Sequence, residues 1–173
     1  GGRSWRSGAR TKRSSGWGSP ERPPAARSND WCRTRTLSLS GRNGRCTVAV
    51  DGVPWPVTFT KLVTDVVFSP DSRRIAALAK DDETFRVVVD GTPWKDAWDM
   101  AWKPVFSPDS QMVAAKVEKD GKYTYTVNGS VWSTACDGAW EPVFSPDGTH
   151  LMLRTIEAGD YIRRIVPLSD ITG

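Results

Sequence analysis

The chain has 173 residues, 38% of them apolar and nine of them tryptophan, and no stretch approaches the roughly 18 apolar residues a membrane helix needs. Its net charge of +4 is concentrated at one end: residues 1–30 carry seven arginines and lysines against Glu21 and Asp30, and the rest is close to neutral. A basic folded face for nucleic acid is therefore not expected, nor is direct insertion into a membrane, and three cysteines (Cys32, Cys46, Cys136) without a Cys-x-x-Cys pair point to reduced thiols in a cytoplasmic protein rather than a metal or disulfide framework.

Residues 1–36 are rich in Gly, Ser, Pro and Arg, have no apolar period, and read as a disordered basic head. No secretory leader is visible there, and a start at Gly1 instead of Met reads as a fragment or a processed form. Near Leu37 the pattern changes abruptly. Cys46, Val48 and Val50 alternate with Thr47, Ala49 and Asp51 after an Asn43-Gly44 turn, which predicts a strand with one buried face. Asp51-Gly52 turns the chain and delivers Trp55. Val66-Val67-Phe68 then ends a strand, and Ser69-Pro70-Asp71 makes a turn in which proline presets φ and the aspartate can bond its own backbone two residues on. The strand RIAALAK follows, then a turn at Asp82-Glu83, then Phe85, Val87 and Val89 in alternation, then Asp90-Gly91 and Trp94.

The same order recurs. Pro104-Val105-Phe106 precedes Ser107-Pro108-Asp109, MVAAKVE, the Asp120-Gly121 turn, alternating Tyr123, Tyr125 and Val127, and Asn128-Gly129 leading to Trp132. Pro142-Val143-Phe144 precedes Ser145-Pro146-Asp147, LMLRTIE and the Ala158-Gly159 turn. Phe68, Phe106 and Phe144 are spaced by 38 residues, as are Asp71, Asp109 and Asp147. Trp55, Trp94 and Trp132 are spaced by 39 and 38, and Trp102 and Trp140 by 38, with Thr64 in the first copy. A fixed period of this size marks an array of supersecondary units. With no segment of helical period, the expected fold is all-β: a β-propeller-type repeat of four-stranded antiparallel blades, each needing neighbours to bury its faces. The repeat domain covers 37–173 with units at about 37–66, 67–104, 105–142 and 143–173; that is about three full units with the first incomplete, fewer than a closed ring. The last unit replaces the turn and tryptophan by YIRRIVPLSDITG, so the array is expected to stop there.

The phrase FSPDG followed by a small-apolar strand resembles the WD-like, TolB-type β-propeller repeat. The fuller pattern, TVAVDGVPW, WKPVFSPDS, YTYTVNGSVW and WEPVFSPDG, resembles the TmcD family, tryptophan-rich subunits of a transmembrane electron-transport complex of sulfate-reducing bacteria. That resemblance covers about residues 37–173. It implies a cytoplasmic protein, at the inner face of the membrane, without a redox centre of its own. Its implied partners are a membrane subunit, an iron–sulfur subunit of heterodisulfide-reductase type and a periplasmic multihaem cytochrome, in a complex that passes electrons towards sulfate reduction.

The recurring Trp55, Trp94, Trp102, Trp132 and Trp140 are expected to wedge one blade against the next, each ring burying a large area and its N–H finding one partner. Phe68, Phe106 and Phe144 are read as structural in the same way. The alternative for the tryptophans is an exposed aromatic surface for a protein partner. Trp98 breaks the repeat, because Cys136 stands 38 residues on, and is the candidate interface residue. Asp71, Asp109 and Asp147 share one turn context and are expected to bond backbone instead of doing chemistry. His150 is the only histidine, too few for a multi-histidine metal set, and no Gly-x-Ser-x-Gly elbow offers it a nucleophile. Asn128-Gly129-Ser130 matches a glycosylation acceptor but occupies a turn position. Cys46 should pack as a small hydrophobe, with a Cys32–Cys46 disulfide left open. No catalytic, cofactor or metal residues are assigned. The expected function is a non-catalytic scaffold docking on protein partners; the alternatives are a TolB-like propeller binding a peptide or protein, and the propeller part of a prolyl-oligopeptidase-type peptidase.

Overall fold

The computed structural model describes residues 37–42 and 44–173. The expected head, residues 1–36, lies outside them, as do Asn43 of the first turn and Cys32. The described chain is built of antiparallel sheets with one short helix. The alternating segments become strands because period-two residues place β-branched and aromatic side chains on opposite faces of each sheet.

The first sheet is β1 (Leu37–Arg42), β2 (Arg45–Val50) and β3 (Val53–Pro54). The second is β4 (Leu62–Phe68), β5 (Ile75–Asp81), β6 (Thr84–Val89) and β7 (Thr92–Pro93), in that spatial order. In the third, β8 (Met100–Ala101) and β9 (Val105–Phe106) both pair with β10 (Val113–Lys119), which pairs with β11 (Lys122–Val127) and through it β12 (Ser130–Val131). In the fourth, β13 (Gly138–Ala139) and β14 (Val143–Phe144) flank β15 (His150–Glu157), which pairs along its full length with β16 (Asp160–Pro167). A one-turn helix, α1 (Ser169–Thr172), follows β16, in a segment too short to show a helical period in the sequence.

The sheets do not divide where the repeated phrase starts. Phe68 pairs with Ile75, Phe106 with Val113 and Phe144 with Leu151, so the Ser-Pro-Asp turn lies inside a sheet and the strand before it belongs with the strand after it. Unit boundaries therefore fall several residues earlier than 67, 105 and 143. The first strand of each of these sheets is irregular. In the second sheet the register shifts between Thr64 and Val67, with Asp65 at positive φ (50°). In the third and fourth, the strand is split at Trp102–Pro104 and Trp140–Pro142, where a proline without an N–H cannot continue the ladder.

Successive sheets pack face to face through alternate residues of the same strands. Val48 and Val50 meet Ile75, Ala77, Ala79 and Val88. Ala76, Leu78, Val87 and Val89, the opposite face of the second sheet, meet Val113, Ala115 and Val117. Ala114, Tyr125 and Val127 meet Leu151, Leu153 and Val166. Each fully buried aliphatic side chain in these layers contributes about 1.5–3 kcal/mol.

Candidate interaction surface

The repeated tryptophans of the second phrase occupy one seat. The backbone N–H groups of Trp55, Trp94 and Trp132 donate to Val48, Val87 and Tyr125 at 2.8 Å each. From there Trp55 reaches the following sheet: a Cβ on Gly91 would lie 3.1 Å from its Cγ, and one on Gly129 would lie 3.7 Å from that of Trp94. Gly91 and Gly129 are thus each a floor for the indole of the preceding unit, and both also sit at positive φ (81° and 87°). Trp132 has no such glycine ahead of it. It is buried in one cluster with Leu168 and Ile171, so the terminal helix segment covers the last indole.

Trp98 is not on the surface, contrary to the expectation for it. It is 6% exposed, inside the cluster that holds Leu78 and Phe106. The reason is a strand position hidden from the sequence: Trp98 bridges Phe85 as Phe59 bridges Cys46 and Cys136 bridges Tyr123. Two of these three pairs set a cysteine against an aromatic ring, so the side-chain volumes compensate across the bridge. Cys46 is half-buried and Cys136 buried, both as free thiols; burial, with the nearby Glu157 carboxylate, pushes the Cys136 thiol up in pKa. Among the phenylalanines, Phe106 is buried under the Arg74 guanidinium at 5.8 Å, Phe144 is half-buried and Phe68 is exposed.

The turn aspartates do the same structural task three times. Ser69, Ser107 and Ser145 donate through Oγ to Oδ1 of Asp71, Asp109 and Asp147 at 2.6, 2.5 and 2.5 Å. The same oxygens accept the N–H of Arg73, Gln111 and Thr149 at 3.0, 3.0 and 3.1 Å. These bonds, the serine hydroxyl's first, hold all three carboxyls below their ordinary range, Asp147 at about 2. Asp90 and Asn128 cap the start of the preceding long strand, β5 or β10, accepting from the N–H of Ile75 and Val113 at 2.8 and 2.9 Å, so the amide of Asn128-Gly129-Ser130 is used in the fold. His150 lies beside Thr149 Oγ1, at 2.7 Å. Among the described residues no group of three or more His, Cys, Asp or Glu is placed to hold a metal. A shallow depression lined by Arg74, Asp90, Trp94 and Asn128 has its charges spent: Arg74 Nε bonds Asp90 Oδ2 at 2.9 Å, and Nη1 donates to the Gln111 carbonyl at 2.8 Å.

The sequence did not reveal the outer face of the fourth sheet. Along β15, Leu151, Leu153 and Thr155 are buried, while Met152, Arg154 and Ile156 point the other way. Register sets these three opposite Ile165, Arg163 and Tyr161 of β16, and Met152 opposite Val143 of β14. Ile165 is 72% exposed, Tyr161 58% and Val143 42%. Trp140, 38% exposed, meets Tyr161 edge-on with ring centres 5.5 Å apart. Of the positions 38 residues earlier, Ala114, Lys116, Tyr125 and Val127 are buried, and Trp102, Val105, Glu118 and Tyr123 are half-buried. So the face is built like its predecessors, and among the described residues its apolar and aromatic groups stay exposed.

No protein-family model matches the chain, and no curated protein matches it. Among solved structures it is similar to a protein of Bacteroides uniformis provisionally named a 6-phosphogluconolactonase, at 19% identity and a TM-score of 0.33 over 77% of this chain and 54% of that one. The chain thus spans about half the length of that protein. Among the described residues no helix is long and apolar enough to cross a membrane.

Proposed function

We propose that the chain is a non-catalytic interaction scaffold made of propeller-type blades, which docks on protein partners. The single observation that supports this is the outer face of the fourth sheet: among the described residues Ile165, Tyr161, Val143 and Trp140 are exposed, whereas Ala114, Lys116, Tyr125 and Val127, on the corresponding face of the sheet before, are buried. Exposed apolar and aromatic groups set around Arg154 and Arg163 in this way suit contact with a protein. The aspartates and cysteines that could do chemistry are instead held in turns and cores. With the resemblance to the TmcD family, the partners are the membrane and iron–sulfur subunits of an electron-transport complex at the cytoplasmic side, and the chain itself carries no redox group.

The test is affinity purification of the full-length protein from its own cell. Haem and iron–sulfur subunits are expected to co-elute. Recovery as a lone protein, or with peptidoglycan-associated proteins, would overturn the assignment, the latter in favour of a TolB-like role.

A further inference from the structure

The turn at 128–129 departs from its two predecessors in one side chain. Asp51-Gly52 and Asp90-Gly91 are followed at the same place by Asn128-Gly129. A second exchange accompanies it. Asp90 accepts the Ile75 N–H through Oδ1 at 2.8 Å and the Arg74 Nε–H through Oδ2 at 2.9 Å. The residue 38 positions after Arg74 is Met112. Asn128 accepts the Val113 N–H through Oδ1 at 2.9 Å, and its Nδ2 donates to the Met112 sulfur at 3.1 Å. The ion pair of the second sheet thus becomes a neutral amide on a thioether in the third. Met112 packs, half-buried, against the core between the third and fourth sheets. A carboxylate beside it would lack the guanidinium that Asp90 has, so the amide suits this neighbour.

The amide also makes this turn reactive where its predecessors are inert. A carboxylate is a poor electrophile, whereas the Cγ of a neutral carboxamide can be attacked by the backbone nitrogen that follows it, one source of asparagine's lability. Glycine obstructs that attack least, having no Cβ beside the attacking atom and a backbone free to turn. The Gly129 N–H donates no hydrogen bond among the described residues, and Asn128 is exposed, so water reaches it. Asn128 and Gly129 form the turn between the paired Val127 and Ser130, both at positive φ (47° and 87°). Two hydrogen bonds hold the amide in place, one from Val113 and one to Met112, and reaction competes with both.

We propose that Asn128 is a site of spontaneous deamidation, with the Gly129 nitrogen as nucleophile and the Met112 contact as the restraint that sets its rate. The Gly129 nitrogen gives up its proton and bonds to Cγ of Asn128. The Cγ–Nδ2 bond breaks, and the side-chain nitrogen leaves as ammonia. Water then opens the cyclic imide. Cleavage of the new bond to Cγ leaves an aspartate; cleavage of the original peptide bond leaves an isoaspartate, whose main chain runs through Cβ and Cγ. The fold treats the two products differently. An aspartate keeps the cap on β10, as Asp90 keeps the one on β5. An isoaspartate adds a main-chain carbon to the turn and moves Gly129 from beneath the Trp94 ring. The reaction is independent of the scaffold function proposed above.

The test incubates the full-length folded protein in heavy-oxygen water at mildly alkaline pH, as wild type, Met112→Leu and Asn128→Gln. Site and product are read by mass spectrometry with electron-transfer fragmentation, which tells isoaspartate from aspartate. Wild type should take up heavy oxygen at 128 at least fivefold faster than at Asn29, which precedes Asp30 and not a glycine. Met112→Leu, close in volume but without the acceptor sulfur, should raise the rate at 128 at least threefold while the Val113 N–H keeps its hydrogen-exchange protection. Asn128→Gln, whose longer side chain would have to close a larger ring, should take up none there. A wild-type rate at 128 less than fivefold above that at Asn29 overturns the site. A smaller rise in Met112→Leu, or one accompanied by lost protection at Val113, overturns the restraint, because the rate would then follow opening of the sheet and not the contact with sulfur.

Discussion

Asp71, Asp109 and Asp147 show how far one residue type can be committed by its turn. Each carboxylate receives a serine hydroxyl and a backbone N–H two residues on, and each serine oxygen in turn accepts a further N–H, from Arg74, Met112 and His150 at 2.9, 2.9 and 3.0 Å. The acid is stabilised in its charged form, so its folded pKa lies below its unfolded one. Its contribution to stability is present above the ordinary carboxylate range, near pH 4, and is lost as pH falls towards about 2. Carbon-detected NMR titration should place Asp147 near pH 2. In Ser145→Ala its midpoint should rise towards the ordinary range while Asp71 and Asp109 keep theirs; an Asp147 midpoint unchanged by that substitution would show that the serine is not what holds it. This role was legible in the sequence, because three identical contexts point to three identical backbone tasks. The burial of Trp98 was not. Its position is shared with Phe59 and Cys136, residues of unlike type spaced by 39 and 38, so no recurring letter marks it.

At the scale of the element, period-two alternation located β2, β6 and β11, and the short apolar runs beside them located β5, β10 and β15, of which β5 and β10 are buried on both faces. The edge strands β3, β7 and β12 have two residues each, too few to carry a period. The split first strands were not legible, because Pro104 and Pro142 interrupt a single paired edge whose halves have two residues each. The turns at Asp90-Gly91 and Asn128-Gly129 were legible as turns, but their second duty as a floor for tryptophan was not, since it depends on how the units are placed. Two substitutions separate the two duties. Gly129→Ala meets Trp94 at an ordinary 3.7 Å and bears mainly the cost of a positive φ, about 1–2 kcal/mol. Gly91→Ala adds a 3.1 Å approach to the Trp55 ring, whose displacement would disturb the junction of the first and second sheets. Denaturant unfolding should rank Gly91→Ala as the more destabilising. The reverse order would show that the Trp55 ring yields freely and is not a wedge.

For the molecule as a whole, stacking makes each sheet both a cover and a surface to be covered, and only the interior junctions contribute to folding. The fourth sheet holds both conditions on one pair of strands. Leu153 on β15 is fully buried against the third sheet, whereas Ile165 on β16 lies on the open side. Leu153→Ala should cost about 2–5 kcal/mol, from lost transfer energy and the cavity left behind. Ile165→Ala should change the stability of the isolated chain by less than about 0.5 kcal/mol, the usual range for an exposed site. If the proposed scaffold function holds, the order of consequence changes for the complex: Ile165→Ala is expected to weaken it and Leu153→Ala to act only through the fold. Composition could not separate these two aliphatic residues, because what distinguishes them is which neighbour each one meets. Paired unfolding curves for the two variants measure the difference directly. A cost for Ile165→Ala close to that of Leu153→Ala would mean that the chain covers this face itself, and the docking surface would have to be sought elsewhere.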